Sequence, residues 1–125
     1  MTFEELQATL SKSKLDAFIK SFNDIADKVV QNTFVKGFRQ SGIERNIGEE
    51  LALIHSEVSE ALEGIRHGNP PDDKIPEFSV AEAELADAVI RIMDTTRFRG
   101  WRLAEAIIAK HEYNKTRSHK HGKEF

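Results

Sequence analysis

The stretch ELADAVIRIMD, Glu84 to Asp94, decides the reading of this chain. An apolar helix face runs through it, yet Glu84 and Asp87 stand one helical turn apart beside that face. A similar acidic pair, Glu57 and Glu60, occurs upstream in HSEVSEALEGIR. Two such pairs next to a core need a reason, because like charges close together in a low-dielectric place cannot all stay ionised.

Outward from these stretches the pattern is helical almost throughout. Leu15, Phe18, Ile19, Phe22, Ile25, Ala26 and Val29 recur at three- and four-residue intervals, which predicts a first long helix from about Ser13 to Val35. Gly37 and Gly42 mark its exit, and FEELQATL supplies a shorter helical turn before it. A second helix starts near Asn46, carries Leu51, Ile54, Val58, Ala61, Leu62 and Ile65 on one face, and stops at HGNPPDD. Ser79 followed by Glu82 is a capping box that opens the third helix, which ends before Gly100. A fourth runs from about Leu103 to Thr116. No stretch alternates with period two, so the expected fold class is all-α, a bundle of four to five helices in one domain over residues 1–125. With eight phenylalanines, the apolar surface exceeds what one protomer covers, and dimerisation is expected.

Composition narrows the function classes. Apolar residues at 39% fit a globular chain, and a formal charge of −3 gives no global reason to expect binding to a nucleic-acid polymer. No cysteine is present, which removes disulfides, thiolate metal sites and a cysteine nucleophile. MTFEELQATL lacks the basic start and apolar run of a signal peptide, and no apolar run reaches a membrane span, so a cytoplasmic protein without a membrane partner is expected. The Walker loop, GxGxxG and HExxH are all missing. Trp101, ahead of the last helix, reads as a packing residue.

On a helical wheel Glu50 and Glu57 fall beside the apolar arc of the second helix and Glu60 flanks them, while Glu84 and Asp87 border the arc of the third. If the two helices pack antiparallel, four acidic groups converge and a divalent cation relieves their repulsion. All-oxygen ligation favours magnesium, with manganese able to substitute, over zinc. A single ExxE is ordinary on a solvated helix; two on adjacent helices at the core border are less so. A di-iron site would require Glu-x-x-His, which the chain lacks. At the C-terminal end, KHEYNKTRSHKHGKEF places Lys110, Asn114 and Arg117 at i, i+4 and i+7, with Tyr113 at the edge of that face. A point charge, an amide and a forked guanidinium in a row suit a polyphosphate. The bland account of the same residues is a solvated tail.

Glu57-x-x-Glu60, a gap of 23 residues, Glu84-x-x-Asp87 and then KHEYNKTR together resemble the MazG-like nucleoside triphosphate pyrophosphohydrolases of the all-α NTP pyrophosphatase superfamily. The resemblance covers roughly residues 46–125. It implies magnesium-dependent hydrolysis of a (deoxy)nucleoside triphosphate to monophosphate and pyrophosphate, in nucleotide-pool housecleaning. It implies that Glu57, Glu60, Glu84 and Asp87 hold magnesium, that Glu57 or Glu60 takes the proton of the attacking water, and that Lys110, Tyr113, Asn114 and Arg117 bind substrate. It also implies a homodimer or a dimer of dimers. Glu50 is a candidate for the same centre on spacing alone. The alternatives are a dUTP- or dCTP-directed pyrophosphatase in nucleotide supply and a non-catalytic nucleotide-binding helical dimer.

Overall fold

The computed structural model describes every residue except Ala8. Four α-helices follow in order: α1 Lys12–Val35, α2 Ile47–Arg66, α3 Val80–Phe98 and α4 Leu103–Lys115, with short 3-10 turns at Glu4–Leu6 and His119–Gly122. Among the described residues there is no strand, only two isolated bridges that close turns, Gln40 with Ile43 and Pro71 with Ser79. The helical turn expected in FEELQATL is limited to Glu4–Leu6, and Ala8 of that stretch lies outside the described residues. No helix among the described residues is long and apolar enough to cross a membrane.

The chain divides into two compact units, Ala26–Trp101 and the pair of segments Met1–Ile25 and Arg102–Phe125. In the second of these, Ala104 is completely buried, Phe18 and Phe22 pack with ring centroids 5.6 Å apart, and Leu6, Leu10, Leu15, Phe18, Ile107 and Ile108 line a cavity of about 770 Å3.

Within Ala26–Trp101, α2 and α3 pack antiparallel, and the link between them explains why. Gly68 at φ +83° ends α2, and the next residue, Asn69, donates its backbone N–H to the Gly64 carbonyl at 2.7 Å, closing a left-handed C-cap. The Asn69 side-chain oxygen then accepts from the N–H of Ala81 at 2.9 Å, so one residue closes α2 and satisfies the first turn of α3. Ser79 completes the start of α3 through the expected capping box with Glu82. Asn46 caps α2 by accepting from Glu49 N–H at 3.0 Å.

The helices approach closely because small residues lie between them. Ala61 and Gly64 of α2 and Ala81, Ala83 and Ala88 of α3 are buried. This differs from the expected α2 core face. Leu51, Val58, Leu62 and Ile65 remain 48–55% exposed, because the Ala61–Gly64 edge meets α3 and leaves the larger apolar side chains on the flank. Trp101 is likewise half exposed rather than packed, with the Arg99 guanidinium 5.9 Å from its ring centroid.

The seam between α2 and α3 is polar at its far end from the link. Gly37, at φ +82°, turns the chain out of α1 and brings Arg39 into the seam. The Arg39 guanidinium is fully buried, donates from Nε to Asp94 Oδ1 at 3.0 Å and from Nη2 to Asp94 Oδ2 at 2.9 Å, and also donates from Nη2 to Glu50. Thr33 donates its hydroxyl to Asp94 at 2.9 Å. Arg99 places Nη2 2.5 Å from Glu50 Oε2 in a charge contact, and anchors the loop before α2 by donating to the Arg45 carbonyl at 3.1 Å. Phe98 lies under Arg39, 4.0 Å from its centroid.

Two stability measurements check this packing. A Cβ at Gly64 would sit 2.6 Å from Val80 Cγ1 and 3.1 Å from Val80 Cβ, and a β-branched residue at a helix start has little room to yield. Gly64→Ala is therefore expected to lower unfolding free energy in urea by about 1–2 kcal/mol, overpacking outweighing the gain in helix propensity. A stabilised variant would contradict the close approach. Arg39→Met leaves Glu50 and Asp94 buried without their shared cation and is expected to cost about 3–5 kcal/mol. A loss below about 1 kcal/mol would mean that Arg99 alone neutralises the seam.

Candidate metal centre

Glu57 and Glu60 project from α2 one turn apart, and Glu84 and Asp87 do the same from α3. The antiparallel link brings Glu57, Glu60 and Glu84 together: one carboxylate oxygen of each lies within 4.8 Å of the others. Glu57 is buried, Glu84 half-buried and Glu60 exposed, so the cluster opens to solvent on one side. Asp87 is not among the three that converge. It lies one turn further along α3 and shares with Glu57 a cavity of about 220 Å3, whose other walls include Thr33, Phe38, Arg45, Ile90 and Arg91.

The charges are unevenly compensated. Burial pushes the Glu84 carboxyl up, and hydrogen bonding with Glu60 and Glu57 together with their charge push it further, to about 7. Burial, and then the charge of Glu57, also raise Asp87 above the usual aspartate range. Burial alone would raise Glu57, but Arg91 reverses the sign: its Nε donates to Glu57 Oε1 at 2.6 Å and holds the carboxyl below its ordinary value. Without a cation, the cluster is therefore partly relieved by a proton on Glu84 and partly by Arg91.

The donor set fits magnesium or manganese. Three carboxylates supply hard oxygen ligands of the kind these ions take, and waters can complete the shell on the exposed side. Glu50, a candidate on spacing, is not part of this centre. Arg39 and Arg99 occupy it at the other end of the seam, because it lies two helical turns before Glu57 and meets Asp94 and Thr95.

The basic motif belongs to the other unit. Lys110, Tyr113 and Asn114 lie on α4, and Arg117 follows its C-cap, Thr116. Lys110 Nζ and Arg117 Cζ stand 5.1 Å and 5.9 Å from the Tyr113 ring centroid, so the structure brings these three together. The buried Asn114 Oδ1 has no hydrogen-bond partner among the described residues.

Arg91, Asp94, Arg39 and Arg99 are missed by the sequence reading. Arg91 and Asp94 had a signal, since Glu84, Asp87, Arg91 and Asp94 form one stripe at i, i+3, i+7 and i+10 of α3. Arg39 pairs with Asp94 across 55 residues and had none. Comparison with protein-family models, curated proteins and solved structures finds no match to this chain.

The Glu84 shift fixes a pH dependence. Between its ordinary value of 4.5 and about 7, the folded cation-free chain holds a proton that the unfolded chain has lost, so stability falls as pH rises through this window and then levels. Asp87 acts in the same direction, whereas Glu57, shifted down, contributes only below 4.5. Calorimetric titration with manganese in buffers of different ionisation enthalpy is expected to show about one proton released per ion near pH 6 and almost none near pH 8.5. Equal release at both would remove the shared proton from the cluster.

Proposed function

We propose that the chain is a magnesium-dependent pyrophosphohydrolase of (deoxy)nucleoside triphosphates, yielding the monophosphate and pyrophosphate. The observation that carries this reading is the convergence of Glu57, Glu60 and Glu84 from two helices beside a cavity with mixed walls. Phe38 and Ile90 offer apolar surface for a base or sugar, Arg45 and Arg91 offer donors for phosphate oxygens, and Glu57 and Asp87 line the same cavity. The motif resemblance supports the same reaction class and adds Asp87 to the ligand set.

Bound there, magnesium would supply charge neutralisation for the phosphate oxygens and lower the pKa of a water. Glu57, Glu60, Glu84 and Asp87 would hold it. Glu60 is the better placed of the two α2 carboxylates to take the water's proton, because it is exposed and has no arginine partner among the described residues, whereas Arg91 holds Glu57. Lys110, Tyr113, Asn114 and Arg117 would bind the phosphates and the sugar, an assignment that rests on the motif. The half-exposed Leu51, Val58, Leu62 and Ile65 on α2 support self-association, since a second copy would remove this apolar stripe from water. A cytoplasmic location in nucleotide-pool housecleaning accords with this activity.

The test is turnover of each common ribo- and deoxyribonucleoside triphosphate with and without magnesium, separating pyrophosphate from single phosphate as product. Magnesium-dependent pyrophosphate release is expected, and a preference for dUTP or dCTP would place the enzyme in nucleotide supply. Glu60→Gln is expected to lose about two or more orders of magnitude in turnover while keeping its helical content. Nucleotide binding without turnover on the whole panel would instead indicate a non-catalytic module. Arg117→Ala is expected to weaken nucleotide affinity while leaving manganese affinity intact; unchanged nucleotide affinity would remove Arg117 from the site.

A further inference from the structure

Three arginines meet carboxylates in the α2–α3 seam, and they are held very differently. Arg39 is completely buried and bonded to two acids. Arg99 is 8% exposed, contacts Glu50 and donates to two backbone carbonyls. Arg91 is 40% exposed and is held through Nε alone, by Glu57, its one ion-pair partner among the described residues. Its two terminal nitrogens make no carboxylate contact among the described residues. The first two arginines are fixtures of the fold, and the third is attached by one bond at the mouth of a cavity.

That bond falls on one of the three carboxylates of the cluster. Glu57 is the most buried of the three converging carboxylates, and Arg91 takes its Oε1. A divalent cation arriving between Glu57, Glu60 and Glu84 would meet the guanidinium at close range, where two like charges repel strongly. Arg91 also lines the cavity shared with Asp87, Ile90 and Arg45, so a guanidinium leaving Glu57 stays within the space that a nucleotide would enter.

We propose that Arg91 is a switching residue of this centre: with no cation bound it holds Glu57, and when a divalent cation takes that carboxylate it turns its free fork onto a phosphate oxygen of the nucleotide in the cavity. This rests on the cation-dependent reading above. The completed exchange conserves charge pairing, because the cation replaces the guanidinium at Glu57 and the phosphate replaces Glu57 at the guanidinium. It also orders the events. Cation and nucleotide arriving together cost Arg91 nothing, whereas cation alone breaks its ion pair, so the two ligands bind cooperatively.

The experiment measures two affinities in wild type, Arg91→Met and Arg91→Lys: manganese alone, by electron paramagnetic resonance of the free ion, and an uncleavable α,β-imido nucleoside triphosphate with manganese present, by calorimetry. Arg91→Met leaves the buried Glu57 without its cation, so Arg91→Lys, which keeps a positive charge there, is the variant expected to melt within a few degrees of wild type. The expected result has opposite signs. Arg91→Met binds manganese alone more tightly, binds the analogue about tenfold or more weakly, the worth of one charge-assisted hydrogen bond, and loses the cooperativity. Arg91→Lys recovers part of the analogue affinity. In wild type, the Arg91 Nε–H resonance is expected to shift with magnesium alone and again with the analogue. If wild type and Arg91→Met bind manganese and analogue alike, Arg91 is a fixed structural pair and the proposal fails while the cation reading stands. If none of the three proteins binds manganese, the proposal and the cation reading both fail.

Discussion

The Arg39 guanidinium, buried between Glu50 and Asp94, is the constraint on which the α2–α3 pair depends. Each helix turns an acidic stripe toward the other: Glu50, Glu57 and Glu60 on α2, and Glu84, Asp87 and Asp94 on α3. Two such stripes repel unless positive charge lies between them. At one end Arg39 and Arg99 supply that charge with fixed geometry, and Thr33 satisfies a remaining acceptor position on Asp94. The buried pairs add little net stability over an apolar seam of equal volume, but once the acids are there the arginines are obligatory.

The other end of the seam is left short of positive charge. The same antiparallel packing, held close by Ala61, Gly64, Ala81 and Ala88, brings Glu57, Glu60 and Glu84 together, and among the described residues only Arg91 pairs with them. Burial first, then the neighbouring Glu60 and Glu57, push the Glu84 carboxyl up to about 7. A fold that neutralises one end of a polar seam permanently and the other with a proton and a singly bonded arginine has room for a divalent cation at the second end. A rigid buried network thus stands beside an open, undercompensated one along a single interface.

Much of this was legible in the sequence. The spacing of apolar residues and the signals at Asn46, Ser79 and Gly68 locate α2 and α3 to within a residue or two, because caps and breakers act locally. The convergence of Glu57, Glu60 and Glu84 followed from helical spacing plus an antiparallel link. What was not legible depends on contacts across the fold. Leu51 and Val58 sit on the apolar arc of the wheel, but a wheel cannot tell that the alanine and glycine edge of that arc is the one that meets α3. Glu50 resembled Glu57 in spacing and differs from it because Arg39, from the loop after α1, and Arg99, from the end of α3, both reach it. The role of Arg91 was hidden for another reason: its place on the stripe was visible, but its partner lies on a different helix.

The central claim is that the undercompensated end of the seam receives a divalent cation. Anomalous diffraction from crystals of the protein soaked with manganese tests it most directly, because the ion announces its own position. The account predicts a peak within bonding distance of Glu57, Glu60 and Glu84, with Arg91 turned away from Glu57. Density that leaves these three carboxylates bare, with Arg91 still bonded to Glu57 at saturating manganese, would contradict it.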